Sequence, residues 1–190
     1  MSATAHAPTR YKIDVFAYHR MAEAGIIGPD DRVELMDGEI FAMSPIGQDH
    51  EATVDSLNEA LVLAFAGQAT VSVQNPVRLD NLSEPQPDVT VLRRRADGYR
   101  TGPRKSPADT LLLIEVADSS LQSDRAVKLP LYAKAGVPEV WIVDLERRVL
   151  ECYRQPDGER YREMTTHTPD ETVTLSQAPG VSLALRPVFG

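Results

Sequence analysis

Apolar residues recur at helical spacing in two segments of the N-terminal half of the chain. Through residues 50–65 they follow one another at steps of three and four residues, and Gly67 supplies a stop signal just beyond. A less regular pattern covers residues 13–26 and ends near Gly25 or Gly28. The sequence therefore predicts an amphipathic helix at 50–65 and a peripheral helix at 13–26.

Runs of alternating or continuous apolar residues predict the strands. Residues 32–36 and 39–43 flank the dipeptide Asp37-Gly38, which tolerates the positive φ angles of a two-residue turn and so indicates a β-hairpin. Weaker strand signals run through residues 160–188. Further strands are predicted at residues 71–74, 76–79, 88–92, 111–117, 139–144 and 148–153.

A segment of helical pattern between two strongly apolar strands decides the fold class. Residues 123–135 are predicted to form a helix that Pro130 should kink or shift and that Gly136 ends. A strand, a helix and a strand in succession favour a parallel crossover, whereas the hairpins add antiparallel edges. We therefore expect an α/β fold with a mixed central sheet flanked by helices. It should form one domain over residues 11–190, after a loose tail at residues 1–10.

The composition narrows the class of protein. A chain of 190 residues with 42% hydrophobic residues suits a single core. Its longest apolar run, Ala60–Ala66, is too short to cross a bilayer, and the first twenty residues lack the apolar centre of a secretion signal. Cys152 is the only cysteine, which excludes an intrachain disulfide and a cysteine-based zinc site. We therefore expect a cytoplasmic protein without a membrane segment, in which Cys152 and Trp141 have packing roles.

The charge of the chain is unevenly distributed. Twenty basic and 28 acidic residues give a net charge of −8, which argues against a surface that binds nucleic acid through bulk electrostatics. The long loop predicted at residues 93–109 is nevertheless basic, and the stretches 93–95 and 100–105 within it could contact phosphates. Net charge therefore does not decide whether the chain acts on nucleic acid.

A glutamate inside an apolar strand is the most informative feature of the chain. Glu115 lies in the run at residues 111–117, with Leu111 on the same face, where a carboxylate is costly to bury unless a cation, a proton or hydrogen-bond donors offset it. If the strand that Asp88 opens is its neighbour, the two carboxylates converge. Together with the backbone carbonyl of Val116, waters and phosphate oxygens, they would suit Mg²⁺, which prefers six oxygen ligands.

Lys128, on the helix that follows, would add a positive charge to such a site or orient the attacking water. These residues also have simpler interpretations. Lys128 and Asp124 would form an ordinary exposed ion pair along the helix. Asp88 would be a turn residue at the start of a strand, and Glu115 would be the partner of a structural arginine.

Several short motifs occur together in the chain. They are VELMDGE at residues 33–39, MSP at 43–45 with His50, QPD at 86–88, LIEV at 113–116 with Ser119, then Lys128, and YAKAGVPEVWIVD at 132–144. Their order and spacing make chance agreement improbable, although each motif alone is weak. Over roughly residues 10–155 the chain thus resembles the Uma2 family of restriction endonucleases, within the PD-(D/E)XK nuclease superfamily.

The resemblance implies a restriction-endonuclease-like core in which Asp88 and Glu115 are the metal-binding acids. In the wider superfamily a lysine lies two residues after that glutamate. Here Ala117 occupies the place, and the Uma2 family looks like one in which the lysine has moved to the following helix. The resemblance therefore makes Lys128 the candidate for this role.

The resemblance adds two more candidate residues to the site. It places Glu34 where it could join the acidic cluster and His50 where it could contact phosphate or water. Without the resemblance, Glu34 would be an exposed hairpin residue and His50 a capping or surface residue at the start of a helix.

The leading hypothesis from the sequence is a Mg²⁺-dependent endonuclease that acts on DNA, with water as the nucleophile and Mn²⁺ as a substitute metal. A second hypothesis is a module of the same fold that binds nucleic acid or protein without catalysis. The acidic balance and the lack of a lysine at residue 117 favour it. A third is a metal-dependent hydrolase of a smaller phosphoester. We also expect a homodimer, because nucleases of this fold often pair.

Overall fold

The computed structural model of the chain describes residues 9–190, so most of the tail predicted at residues 1–10 lies outside the described residues. The helices in this part are α1 (Val15–Glu23), α2 (Gln48–Phe65), α3 (Leu121–Ser123), α4 (Leu129–Lys134) and α5 (Arg186–Phe189). The strands are β1 (Val33–Met36), β2 (Glu39–Ala42), β3 (Ala69–Val73), β4 (Val89–Arg93), β5 (Thr110–Ala117), β6 (Glu139–Asp144), β7 (Val149–Asp157), β8 (Arg160–His167), β9 (Thr172–Leu175) and β10 (Ala178–Ala184). Among the described helices, none has the length and apolarity that crossing a bilayer requires.

A mixed sheet of six strands forms the centre of the molecule, as the sequence predicts. Its order is β3-β4-β5-β6-β7-β8. β5 and β6 are parallel because a helical crossover joins them, while the other neighbours pair antiparallel. The predicted hairpin of β1 and β2, and a second hairpin of β9 and β10, form separate two-stranded sheets. The α/β fold class with a mixed sheet and antiparallel hairpins is therefore confirmed.

Two hydrophobic clusters pack against the central sheet. α2 contributes Leu57 to one of them, together with Ile114 of β5. In the other, Tyr132 of α4 packs with Leu113 of β5. Leu111 belongs to the first cluster and not, as strict alternation predicts, to the side of Leu113, because the pairing of β4 with β5 skips it. A bulge of this kind shifts the alternation by one residue.

The strand predicted at residues 76–79 does not form, and the chain there belongs to an irregular connection. Pro76 has no N–H to give to a sheet ladder. The backbone of this segment pairs locally instead: the N–H of Val77 donates to the carbonyl of Pro85, and that of Leu79 to the carbonyl of Ser83. The connection thereby folds back on itself beside β1, where Glu84 forms an isolated bridge with Leu35.

The helix predicted at residues 123–135 is interrupted before Pro130. A π-helical turn, Asp124–Lys128, separates α3 from α4, and the N–H of Leu129 bonds to the carbonyl of Asp124, five residues earlier. Because proline lacks the N–H that would bond four residues back, a change of helical pitch at this place is expected. Asp124 and Lys128, the first and last residues of the turn, are both buried.

Cys152 on β7 is 1% exposed, and burial raises the pKa of its thiol to about 12. At neutral pH only about one thiol in 10⁵ would then be ionised, and the thiolate is the reactive form. We expect the native protein to resist alkylation by iodoacetamide, whereas protein unfolded in guanidinium should be alkylated completely. Mass spectrometry of the two samples measures the difference, and rapid labelling of the native protein would contradict the inert packing role.

Candidate active site

A cleft of about 90 Å³ lies where the β1–β2 hairpin and the start of α2 face the end of β5 and the π-helical turn. The structure brings the sequence-predicted residues together there. The lining includes Glu34, His50, Asp88, Glu115, Val116 and Lys128.

Lys128 lies at the centre of the acidic side chains. Its Nζ is 3.3 Å from Oε2 of Glu115 and 3.3 Å from Oε1 of Glu34. Oδ1 of Asp124 is 3.8 Å away. Because the side chains of Lys128 and Asp124 are only 10% and 3% exposed, the interpretation as an ordinary exposed pair is wrong. Burial alone would lower the pKa of Lys128, but the surrounding carboxylates raise it above its ordinary value, so the side chain stays an ammonium ion.

Glu115 is 3% exposed and shares its hydrogen bonds between two groups on the crossover helix. Oε2 accepts from Lys128, and Oε1 accepts from the Tyr132 hydroxyl at 2.5 Å. Burial raises the pKa of Glu115 well above its ordinary value, and Asp124, Asp88 and Glu34 raise it further against the attraction of Lys128. The cation beside Glu115 is thus a lysine, not the arginine of the simpler interpretation.

Asp88 comes directly before β4, whose antiparallel pairing with β5 sets Val89 opposite Ile114. This register sets Asp88 opposite Glu115 at the end of the strands. Oδ2 of Asp88 accepts the backbone N–H of Val116 at 2.8 Å, and Oδ1 lies 3.1 Å from Nε2 of His50.

His50 lies in the first turn of α2, and its side chain is 12% exposed, so a surface role does not describe it. The hydrogen bond to Asp88 is the main cause that raises the pKa of His50. Its Nδ1 is buried and has no hydrogen-bond partner among residues 9–190. His50 therefore holds one face of the Asp88 carboxylate and keeps a second ring nitrogen for another group.

Glu34 is 5% exposed, so its interpretation as an exposed hairpin residue is wrong. The connection that precedes β4 covers this part of β1, and the backbone N–H of Gln86 donates to Oε2 of Glu34 at 3.1 Å. Oε1 of the same carboxylate faces Lys128. The QPD motif therefore contributes a backbone donor to the site as well as Asp88.

Three residues of the site were not among the sequence candidates for it. Arg32 lines the cleft and donates from Nη1 to the carbonyl of Ser44 at 3.0 Å. Its spacing of two residues from Glu34 on an extended segment was the signal for a shared face. Tyr132 follows Lys128 by four residues, which is the spacing of neighbours on a helix. Asp124 was considered only as a surface partner of Lys128.

The net charge of the acidic cluster around Lys128 indicates which kind of ion it could bind. Four carboxylates, on Glu34, Asp88, Glu115 and Asp124, surround one lysine. Oxygen donors with an excess of negative charge fit a hard divalent cation such as Mg²⁺. Within residues 9–190, no three histidine, cysteine or acidic side chains are grouped closely enough to hold an ion by themselves. Such a cation would accordingly rely on two carboxylates and complete its shell with water or substrate oxygens.

Comparisons with known proteins agree with this fold. The model of the Uma2 family, described as "Putative restriction endonuclease", matches residues 16–186. A crystal structure described as a putative nuclease belonging to DUF820 from Anabaena variabilis is similar with a TM-score of 0.72. The two sequences are 16% identical over 93% of this chain and 97% of that chain, so the likeness shows the fold alone. No curated protein matched the sequence. Since the family model spans most of its length, the chain belongs to the Uma2 family.

Proposed function

We propose that this protein is a Mg²⁺-dependent endonuclease that hydrolyses phosphodiester bonds of DNA. The observation that carries the proposal is the buried cluster of carboxylates around Lys128, in a chain that belongs to the Uma2 family. Unbalanced carboxylates are costly to bury, and such groups are concentrated at functional sites. The activity named in the family description supports the reaction class, and the oxygen-rich cleft supports the choice of metal.

Asp88 and Glu115 would hold the cation, with the backbone carbonyl of Val116 as a further ligand. When bound, Mg²⁺ or Mn²⁺ would acidify water and offset the charge that develops on the phosphodiester. Hydrogen bonds fix both acids: Asp88 accepts from Val116 N–H, and Glu115 accepts from Tyr132. Second partners of this kind orient the side chains that bind metals.

Lys128 would act as a positive charge and not as a base, because its raised pKa keeps it protonated. Its ammonium group can donate to the attacking water or to a phosphate oxygen. His50 is the candidate proton acceptor, through the Nδ1 atom that has no partner among the described residues. Glu34 balances the charge of Lys128 and holds it in the cleft.

The experiment that tests this function is metal-dependent cleavage of DNA. Duplex, single-stranded and branched DNA are incubated with the protein and Mg²⁺, Mn²⁺ or a chelator, and binding of each metal is measured by calorimetry. We expect cleavage of at least one form, which the chelator abolishes. If no DNA is cut and neither metal binds, the proposal fails. Hydrolysis of nucleotides or model diesters, without cleavage of polymers, would indicate the smaller phosphoesterase instead.

A second candidate function is a binding module of the same fold that has no catalytic activity. It is favoured by one observation: both carboxylate oxygens of Asp88 and of Glu115 already have partners within the protein. Such partners can hold the two acids in place in the absence of a metal. DNA binding that is unaffected by metal and by Asp88→Ala would support this alternative.

Arg32 is predicted to contribute to substrate binding. Its guanidinium lines the cleft and forms no ion pair with any acid among residues 9–190, so its remaining donors can meet a phosphate. We expect Arg32→Gln to raise KM about tenfold with little change in kcat, because one charge-assisted hydrogen bond contributes about 1.5 to 3 kcal/mol. Steady-state cleavage kinetics measure both constants.

The matched control for this prediction is Arg20→Gln, which removes an exposed arginine of α1 that does not line the cleft. It should leave KM unchanged. A loss in kcat with an unchanged KM for the Arg32 variant would show that Arg32 acts on the chemical step and would contradict the binding role.

A further inference from the structure

A strongly basic segment, residues 93–105, joins β4 to the turn before β5, and we call it the cationic loop. It carries six basic residues, which are Arg93, Arg94, Arg95, Arg100, Arg104 and Lys105. Asp97 is its only acid, so the loop has a local charge of +5 in a chain whose net charge is −8. These positive charges are not part of the candidate active site, because none of the six basic residues lines the cleft.

Asp97 organises the loop from inside. Its carboxylate accepts from Nε and Nη2 of Arg95, at 3.1 and 2.9 Å. It also accepts from the backbone N–H groups of Tyr99 and Thr101 and from the Thr101 hydroxyl. Arg95 in turn donates to the carbonyls of Pro103 and Thr101 and lies over the ring of Tyr99 at 4.6 Å. The single acid thus fixes the shape of the loop and neutralises one cation only.

The other cations divide into two kinds. Arg94 donates to the carbonyl of Gly67, and Lys105 donates to the Ser72 hydroxyl, so both tie the loop to β3 and its approach. Three arginines remain exposed, without an ion pair or a side-chain hydrogen bond to residues 9–190. They are Arg93, Arg100 and Arg104. Three exposed arginines elsewhere, Arg10, Arg162 and Arg186, each have an acidic partner, whereas Arg20 and Arg160 are unpaired among the described residues but are not part of a basic cluster.

We propose that the cationic loop binds the phosphate backbone of the nucleic acid outside the catalytic cleft, an inference that rests on the proposed function. Guanidinium groups can form bidentate hydrogen bonds with phosphate oxygens. A loop that its own hydrogen bonds already order loses little freedom on binding. Phosphate contacts of this kind supply affinity without reading sequence.

The distance between the cleft and the cationic loop sets the minimum length of DNA that can contact both. Asp88 comes before the first residue of β4, and Arg93 is its last residue. Five residues of strand span roughly 17 Å, which corresponds to about five base-pair steps of DNA. DNA that contacts Arg93 must therefore extend about this far beyond the scissile bond.

The test compares two double variants that remove the same charge: Arg100→Gln with Arg104→Gln in the loop, and Arg20→Gln with Arg160→Gln elsewhere on the surface. Binding of a labelled duplex long enough to reach both surfaces is measured in EDTA from about 50 to about 200 mM salt. We expect the loop variant to bind at least about tenfold more weakly at the lower salt concentration. Its slope of log Kd against log salt should fall by about two, one for each lost phosphate contact. The control variant should keep both values.

The variant Asp97→Asn distinguishes the effect of the ordered shape of the cationic loop from the effect of its net charge. The substitution removes one negative charge from the loop and also the carboxylate that orders it. If DNA binding depends on the ordered shape of the loop, the variant should bind DNA more weakly. If binding depends on net charge alone, the variant should bind DNA more strongly. Stronger binding by Asp97→Asn, an equal effect of both double variants, or no DNA binding by the unaltered protein would overturn the proposal. Cleavage of DNA with Mg²⁺ by a loop variant with an unchanged salt slope would refute the loop alone and leave the proposed function standing.

Discussion

Glu115→Gln is expected to reduce the proposed Mg²⁺-dependent DNA cleavage at least about 1000-fold, while the protein remains folded. The reduction corresponds to about 4 kcal/mol of transition-state stabilisation, the size of effect expected when a metal ligand is lost. The fold should persist because glutamine has nearly the same shape and keeps an oxygen that can accept from Tyr132. Lys128 would still have Glu34 and Asp124 beside it. Cleavage rates and thermal unfolding, measured on the same preparation, test both parts.

A suitable control is Glu139→Gln, which alters a buried carboxylate on the neighbouring strand outside the cleft. Glu139 accepts from Arg154, Trp141 and the backbone N–H of Ser176. Its loss should lower the melting temperature but leave the cleavage rate of the folded fraction intact. Cleavage by Glu115→Gln at the unaltered rate would remove Glu115 from the catalytic roles.

The sequence predicts the scaffold because the interactions that define it are local. The apolar run around Glu115 and the Asp37-Gly38 turn follow from short-range pattern, and a helix between two apolar strands implies their parallel pairing. The strand predicted at residues 76–79 does not form, because its backbone N–H groups donate to carbonyls a few residues further along the chain and not to a neighbouring strand. Strand propensity alone does not reveal such competition.

The burial of the acidic cluster was harder to predict because it depends on distant parts of the chain. Glu34 is covered by the connection at residues 83–86, far from it in sequence, and the exposed interpretation followed from the hairpin alone. Lys128 and Asp124 turn inward within a π-helical segment, whereas an ordinary helical pattern gave them a surface position. Pro130 indicated a disturbed helix but not the direction in which these side chains would point.

Both Glu115 and Lys128 have raised pKa values: burial is the main cause for Glu115, and neighbouring carboxylates raise the pKa of both residues. With more carboxylates than cations in a buried space, the cluster favours any added positive charge, whether a proton on Glu115 or the existing proton on Lys128. A divalent cation would satisfy the same demand. Charge balance thereby connects the stability of the fold to the proposed metal site.

Lys128→Met is expected to lower the free energy of unfolding by about 3 to 5 kcal/mol near neutral pH, because it leaves Glu34, Glu115 and Asp124 buried without their cation. Lys134→Met is the matched control, since its side chain at the end of α4 is 56% exposed, and it should change stability by less than about 0.5 kcal/mol. Urea unfolding of both variants between about pH 5 and about pH 8 provides the measurement.

The pH dependence separates loss of charge pairing from loss of packing in Lys128→Met. Glu115 and Asp124 already have raised pKa values because they are buried, and removal of the lysine takes away the charge that lowers both. Their protonation then stabilises the folded state at low pH, and this contribution is lost as pH rises through the folded pKa values. The deficit relative to the unaltered protein should therefore be largest near pH 8 and shrink towards about pH 5. Added Mg²⁺ should restore part of the stability if it binds these carboxylates, because a ligand of the folded state stabilises it by mass action. A deficit that is constant across this pH range and insensitive to Mg²⁺ would mean that Lys128 contributes by packing alone, and the charge-balanced site would have to be abandoned.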